Sequence, residues 1–157
     1  MTTNPNKISS EIEKITDYEM PTLGSISRCH FPHMEGVDPD SPARPKPRPA
    51  LVVGIDPDTN MVIVIYGTTQ RTGEDELYDT ELVIRKTDQD FEFTGLAHDT
   101  KFNFERSVQL PYNSEYFSIP NPTRFKIYTN PRIGILPFSY ESALKKAAFN
   151  AKEKEKK

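Results

Sequence analysis

The sequence predicts a mainly β fold, in which a small antiparallel barrel or half-barrel is followed by one C-terminal α-helix. Five or six short apolar runs are separated by segments rich in proline, glycine, asparagine and aspartate, a pattern that is typical of strands joined by turns. These runs do not alternate with helical patterns, as the strands of a parallel α/β fold do. The chain has 157 residues, of which 35% are hydrophobic, so we expect one domain with a small core.

The first half of the chain predicts an arm, a strand, a long loop and a hairpin. Ile8, Ile12 and Ile15 have a weak helical spacing, which indicates a short helix or a loose arm over residues 1–20. An alternating pattern over residues 23–31 predicts the first strand, and the six prolines of residues 32–49 predict a loop. The apolar runs 50–55 and 60–66 flank Asp-Pro-Asp, whose turn-forming chemistry predicts a hairpin.

The second half predicts short strands and the final helix. Strands are expected at residues 80–86, 101–110, 125–128 and 132–136. Ser139 is expected to cap a helix over residues 140–152, and the charged residues that follow are expected to fray. The expected organisation is therefore an arm (1–20), a barrel domain (21–150) and a charged, disordered tail (151–157).

Composition excludes several functional classes. The net charge of −3 argues against bulk electrostatic binding to duplex DNA, although Lys and Arg do cluster locally. No apolar run has the length of a membrane span, and the N-terminus lacks a secretory signal, so a cytoplasmic location is expected. The single cysteine, Cys29, excludes an internal disulfide and is expected to be a buried structural thiol. The motifs of serine hydrolases, nucleoside triphosphate binding and dinucleotide binding are missing, and so is the histidine spacing of a metal site.

A basic cluster is the first candidate for function. Arg44, Lys46 and Arg48 alternate with prolines, which stiffen the backbone and keep the cations in solvent. Arg48 stands where the loop enters the first strand of the predicted hairpin, so it is the one cation of the three that the sheet can hold in place. An arginine held in this way can bind a phosphate through two parallel hydrogen bonds. The alternatives are a solvated proline-rich loop or a ligand for a proline-binding module.

Polar residues of two strands complete the candidate site. Thr68 ends the second strand of the hairpin, beside the entrance of the first. On the strand 101–110, Phe102 and Phe104 are expected to face the core, which places Asn103 and Glu105 on the other face, next to Arg106. A carboxylate, an arginine and hydroxyls on one face could support phosphodiester transfer without a metal. The alternative for these strand residues is an ordinary exposed strand face. His33 is interpreted by default as an ordinary loop residue.

Several segments together resemble the MazF/PemK/Kid toxin family over residues 21–150. Residues 48–53, Arg-Pro-Ala-Leu-Val-Val, resemble the family's signature after its mobile loop, and residues 23–36 resemble its opening strand. Residues 61–69 resemble its second strand, which ends in a threonine. Gly95-Leu96 before a strand with an acidic residue, and Ile133-Gly134-Ile135-Leu136 before the last helix, are similar to its central and closing segments.

The resemblance implies a fold and an activity. The fold would be a small SH3-like antiparallel barrel (MazF/PemK/CcdB-like) with a C-terminal α-helix, usually homodimeric. The activity would be that of a sequence-specific, metal-independent endoribonuclease toxin, which cleaves single-stranded RNA to a 2′,3′-cyclic phosphate, needs no cofactor and is held by an antitoxin. By this resemblance Arg48, Thr68 and Glu105 would be catalytic. In the reaction that these roles suggest, His33 would protonate the leaving 5′-oxygen if the loop that carries it folds over the site. RNA would be bound by Arg44, Lys46, Phe31, Tyr66 and Arg106.

The chain also departs from the family pattern. Ser25 replaces an aspartate, Arg106 a glutamine and Asn103 an arginine, and the segment 111–131 is an insertion. Two other functions therefore remain open. One is a catalytically inactive SH3-like barrel that binds a protein partner. The other is a toxin that inhibits another macromolecule, such as gyrase.

Overall fold

Six strands form one antiparallel sheet in the computed structural model, which describes residues 14–32 and 44–156. The spatial order is β4-β5-β3-β2-β1-β6, and every neighbouring pair is antiparallel. The strands are β1 (Ser25–Cys29), β2 (Arg48–Asp56), β3 (Met61–Thr68), β4 (Glu81–Ile84), β5 (Thr100–Pro111) and β6 (Arg132–Ile135). The helix α1 (Glu141–Glu155) follows three 3₁₀ turns at Glu74–Glu76, Phe91–Thr94 and Phe138–Tyr140. The mainly β prediction with a C-terminal helix is confirmed as a curled half-barrel.

Both faces of the sheet are covered, which explains why β2 reads as a continuous apolar run. Successive residues of a strand point to opposite faces. One face, called the first face here, carries Ala50 and Val52 and is covered by Phe31, Tyr112 and Phe117. The other, the second face, carries Leu51 and other residues and packs against Leu144 of α1. None of the helices in the described ranges has the length and apolar character needed to cross a bilayer.

The hairpin of β2 and β3 is confirmed, and its neighbour β5 contains a bulge. The backbone N–H of Asp58 donates to Oδ1 of Asp56 (3.2 Å), as expected of an aspartate turn. Along β3, Ile65 pairs with Ser107 whereas Gly67 pairs with Phe102, so residues 103–106 lie opposite Tyr66 alone. These four residues are called the β5 bulge below. A bulge bends its strand and redirects side chains, often beside active sites.

The helix α1 differs from its prediction at both ends. Ser139 does not cap it: its hydroxyl donates to Asp90 Oδ2 (2.8 Å), and Tyr140 occupies the cap position. At the other end the helix continues to Glu155, past the expected fraying point at residue 152. Ala151 is buried there and Lys154 Nζ lies 3.1 Å from Asp79 Oδ1, so tertiary contacts hold the last turns.

Two further predictions differ from the structure or lie outside it. Residues 125–128 are not a strand, because the chain leaves the sheet at Ser118 and rejoins it only at Pro131, with both ends bonded to the backbone of Arg28. Most of the predicted N-terminal helix, with Ile8 and Ile12, lies outside the described residues. From Lys14 to Met20 the chain is not helical, and Asp17 forms a bridge with Asn113.

Candidate functional site

Arg48 and Thr68 come together on the first face, at one end of the central strands. Arg48 pairs with Cys29 of β1, and Thr68 pairs with Lys101 of β5. In the pairing of β2 with β3, Ala50 lies opposite Tyr66. When this register is continued by two residues, Arg48 lies beside Thr68. Cross-strand neighbours of this kind have β-carbons about 4.5–5.5 Å apart.

Gly67 supports this continuation of the register. A β-carbon on Gly67 would lie 3.0 Å from Cγ of Pro49 and 2.7 Å from Cε1 of Phe102. The strands β2 and β3 are therefore still in contact at Pro49 and Gly67, the positions adjacent to Arg48 and Thr68. A larger residue at position 67 would separate the strands that hold the site.

One aromatic ring lies beside the guanidinium of Arg48, and a second ring packs against the first. The Arg48 Cζ is 5.9 Å from the centroid of the Tyr66 ring, within the range of a cation–π contact. Phe31 meets Tyr66 edge to face, with centroids 5.4 Å apart and planes at 83°. Phe31 is only 2% exposed, whereas Tyr66 is half-buried. Of the two rings predicted to stack on bases, Tyr66 thus offers the accessible surface, and Phe31 fixes its orientation from the core.

The hydroxyl of Thr68 is oriented by the turn that follows β3. Its Oγ1 accepts a hydrogen bond from the backbone N–H of Gln70 (3.1 Å). A hydroxyl that already accepts one bond keeps its own proton for donation. Thr68 is half-buried, so a phosphate oxygen bound at Arg48 could receive that proton in a hydrogen bond.

Lys101 and Glu81 form a buried ion pair next to Thr68, which the sequence reading did not find. Lys101 Nζ lies 3.2 Å from the Glu81 carboxylate, and the two side chains are 8% and 5% exposed. Glu81 also accepts the backbone N–H of Tyr78 (2.8 Å), and Lys101 donates to the Glu76 carbonyl (3.5 Å). The pair therefore fixes the turn before β4 to the sheet. The sequence does place two opposite charges on two predicted strands, Glu81 on one and Lys101 on the other. Only the pairing of β4 with β5 in the structure shows that these charges meet.

Glu105 lies in the β5 bulge, and its carboxylate contacts groups away from Arg48. Its Oε1 accepts the Thr80 hydroxyl (3.1 Å) and lies 3.9 Å from Lys154 Nζ of α1. Both Glu105 and Arg48 are described, and they form no ion pair with each other. Asn103 Oδ1 accepts a hydrogen bond from the Glu105 backbone N–H (3.0 Å) and shares the proton of the Thr80 hydroxyl (3.0 Å) with Glu105. The bulge brings the backbone of Glu105 and of the exposed Arg106 opposite Tyr66, but it does not bring the carboxylate to the arginine.

Arg44 fastens the segment that leads into β2. Its Nη2 donates to the carbonyls of Ser114 (2.6 Å), Glu115 (3.2 Å) and Phe117 (3.4 Å). Lys46 is exposed two residues later. The three cations of the basic cluster therefore have different environments. Arg44 is hydrogen-bonded to backbone carbonyls, Lys46 is exposed to solvent, and Arg48 lies beside Tyr66 and Thr68. His33 lies outside the described residues.

His30 holds the same segment from β1. Its Nδ1 donates to the Pro45 carbonyl (2.6 Å), so its Nε2 accepts from the Ser118 hydroxyl (2.8 Å). Burial lowers the pKa of His30, and the nearby cations of Arg44 and Arg28 lower it further, against the effect of the bond to Pro45. The imidazole is thus a neutral structural link. Cys29 is likewise structural as expected, since it is fully buried and burial raises the pKa of its thiol.

The described ranges 14–32 and 44–156 contain no group of three His, Cys, Asp or Glu side chains placed to hold a metal ion. The residues that the structure does bring together are cationic, hydroxyl and aromatic groups. Such groups bind a phosphate and an unpaired base, which is what an interface for single-stranded nucleic acid requires.

Comparison with known proteins found likenesses in structure alone. No protein-family model matches the chain, and no curated protein matches its sequence. Among solved structures, one is an endoribonuclease in complex with its cognate antitoxin from mycobacterial species (15% identity, TM-score 0.53, 85% of this chain and 96% of that one). The Mycobacterium tuberculosis toxin MazF-mt6 is 20% identical, with a TM-score of 0.50 over 82% of this chain and 96% of that one. A further endoribonuclease from mycobacterial species is 15% identical, with a TM-score of 0.51 over 85% and 91%. At identities of 15–20%, these likenesses establish that the chain shares the fold of those proteins and establish nothing about its activity.

Proposed function

Because this chain has the fold of the MazF-mt6 toxin and of mycobacterial endoribonucleases, we propose that it is an endoribonuclease toxin that cleaves single-stranded RNA at specific sequences. One observation carries the proposal beyond the fold: Arg48 begins β2 over the ring of Tyr66 and, by register, beside Thr68. An arginine anchored by a sheet suits bidentate binding of a phosphate, and a partly exposed ring suits stacking of an unpaired base.

The proposed reaction is an attack of the ribose 2′-oxygen on the adjacent phosphorus. The O2′–P bond forms while the P–O5′ bond breaks, which leaves a 2′,3′-cyclic phosphate and a 5′-hydroxyl. Glu105 takes the proton of the 2′-hydroxyl, and His33 gives a proton to the departing 5′-oxygen. Arg48 offsets the charge that develops on the phosphorane, and Thr68 donates to one of its oxygens. This scheme uses side chains of the protein and no metal ion.

The role of Glu105 requires its side chain to turn within the β5 bulge. In the structure its carboxylate lies 3.9 Å from Lys154, and the two side chains are 42% and 44% exposed. An ion pair so exposed contributes little stability. The turn also breaks the bond from the Thr80 hydroxyl to Glu105, but that hydroxyl keeps Asn103 Oδ1 as an acceptor at 3.0 Å. Exchanging these contacts for one with bound RNA therefore costs little. The position of the bulge opposite Tyr66 supports this assignment.

The other residues of the predicted RNA surface take supporting roles in the proposal. Lys46 and Arg106 are exposed and contact phosphates of the flanking nucleotides. Arg44 acts on RNA indirectly, because its bonds to three carbonyls hold the segment that carries Lys46. Phe31 also acts indirectly, through the orientation of Tyr66.

The proposal extends to assembly and location. We propose that the chain forms a homodimer, is held inactive by an antitoxin and acts in the cytoplasm. One matched solved structure is of an endoribonuclease with its cognate antitoxin, which supports a protein partner of this kind. Light scattering on the purified chain tests the dimer, since it distinguishes 17.9 kDa from twice that mass.

The activity is tested by incubating the protein with a long RNA in EDTA and mapping the cut ends by primer extension. We expect discrete cuts at a recurring sequence, with cyclic-phosphate ends, which Arg48→Ala abolishes. Lys146→Ala is the matched control, because it removes an exposed cation on α1 and should cleave as the wild type does. Intact RNA after incubation with folded wild-type protein would contradict the proposal and favour a binding module. Intact RNA together with arrested DNA supercoiling would favour a gyrase inhibitor.

A further inference from the structure

Residues 119–130 leave the sheet and return to it at a single residue of β1. This segment is called the arm below and is distinct from the predicted N-terminal arm (1–20). The backbone N–H of Ser118 donates to the Arg28 carbonyl (3.2 Å), and the Arg28 N–H donates to the Pro131 carbonyl (2.9 Å). The ends of the arm are thus close together, as in an Ω-loop, a class of loop that is frequently functional. Near its tip, the Thr123 N–H donates to the Lys126 carbonyl (2.8 Å).

The root of the arm is fixed, while its tip is exposed. Arg28 and His30 both bond to the Ser118 hydroxyl, and Pro131 is buried. By contrast, every residue from 121 to 127 is exposed. A fixed root lets the tip present its side chains with little loss of conformational entropy on binding.

The exposed side chains of the arm alternate between rings or aliphatic groups and cations. Phe125 is 90% exposed and Ile127 is 80% exposed. The Arg124 guanidinium lies 5.6 Å from the Phe125 ring centroid, and Lys126 Nζ lies 4.8 Å from that of Tyr128. Each aromatic ring therefore has a cation beside it.

The charge of this region is opposite to that of the whole chain. No aspartate or glutamate occurs between Glu115 and Glu141, whereas Arg124, Lys126 and Arg132 all do. The chain as a whole carries −3. An apolar protein partner would not need this bias, but a polyanion with unpaired bases would use both the cations and the rings.

We propose that the arm is a second binding element for single-stranded RNA, which holds nucleotides flanking those at Arg48. This inference rests on the proposed function and extends it to the substrate outside the cleavage site. The arm is rooted at Arg28, next to Cys29, the cross-strand partner of Arg48. Phe125 and Tyr128 stack on bases, while Arg124 and Lys126 bind phosphates.

The test measures binding of a fluorescein-labelled mixed-sequence 20-nucleotide 2′-O-methyl RNA, which the proposed reaction cannot cleave because its 2′-oxygens are blocked. Fluorescence anisotropy gives Kd for the full chain over a range of salt concentrations. For Arg124→Gln/Lys126→Gln we expect the slope of log Kd against log salt to fall by about 1.4, since each phosphate contact with a single strand contributes about 0.7. Its matched control, Lys146→Gln/Lys152→Gln, removes two exposed cations of α1 and should leave the slope unchanged.

The stacking role is tested in the same assay. Phe125→Ala should weaken binding by at least about fivefold, because base–aromatic stacking contributes about 1–3 kcal/mol per base. Phe149→Ala removes a ring that is 62% exposed on α1 and should change Kd less than about twofold. Circular dichroism checks that each variant is folded.

The outcomes separate this inference from the proposed function. An unchanged Kd and slope in both arm variants would overturn the role of the arm, even if the wild type cleaves RNA. Weaker binding in those variants supports the arm, even if the wild type cleaves no RNA and the proposed function fails. A change of molecular mass in Phe125→Ala without a change of RNA affinity would make the arm a contact between copies and would also overturn the inference.

Discussion

Lys101 and Glu81 are almost removed from water, so truncating one of them is expected to destabilise the fold strongly. Lys101→Met keeps most of the aliphatic stem but leaves the Glu81 carboxylate, whose side chain is 5% exposed, with the Tyr78 N–H as its remaining partner among the contacts described. Breaking a buried pair in this way costs about 3–5 kcal/mol of unfolding free energy. For a chain of this length, at about 2–4 °C per kcal/mol, Tm should fall by about 6–20 °C.

Urea unfolding followed by far-ultraviolet circular dichroism measures this loss, provided that the m-value is unchanged. The double variant Glu81→Leu/Lys101→Met removes both charges and should recover most of the stability. Lys145→Met is the matched control, since its pair with Glu141 spans 2.8 Å but Lys145 is 72% exposed, and it should cost less than about 1 kcal/mol. A Lys101→Met protein within about 1 kcal/mol of the wild type would refute the reasoning.

Three further predictions concern the site and its support. Gly67→Ala forces a β-carbon to within 2.7 Å of Phe102 and should cost about 1–3 kcal/mol in urea unfolding, whereas Gly73→Ala meets only flexible carboxylate ends and should cost less. Because the folded-state pKa of His30 lies below 6.5, its contribution to stability is full above that pH and is lost as pH falls through the lowered pKa. This step should be missing from urea titrations of His30→Gln, and an identical pH dependence in both proteins would contradict it. Glu105→Gln should slow RNA cleavage by about 10²–10⁴-fold at unchanged Kd for the 2′-O-methyl RNA, and full activity would remove Glu105 from the reaction.

The sequence is most informative where local chemistry and position coincide. The hairpin of β2 and β3 follows from two continuous apolar runs around an aspartate turn. Their short length and the turn between them distinguish these runs from a buried helix without knowledge of the tertiary fold. Arg48 is recognisable for a related reason, because it stands where a proline-rich loop becomes a strand. Neither inference depends on the pairing of distant segments.

Features that depend on pairing could not be predicted. Arg44 reads as a free cation in a loop, but its three carbonyl acceptors come from residues 114–117, far along the chain. The position of Glu105 is predicted from the alternation of inward and outward side chains along a regular strand, and the β5 bulge interrupts that alternation. Ser139 has the chemistry of a cap, but Asp90 competes for its hydroxyl through the tertiary fold.

The assignment of Arg48 to the phosphate is tested most directly by single-turnover cleavage of a labelled RNA in EDTA. Arg48→Ala should slow the chemical step by about 10²-fold or more, the cost of losing one charge-stabilising group. Arg48→Lys should recover only part of the rate, because a lysine keeps the charge but not the bidentate geometry. Both variants should remain folded, since Arg48 is half-buried at the end of a strand. Cleavage by folded Arg48→Ala at the wild-type rate would contradict the assignment.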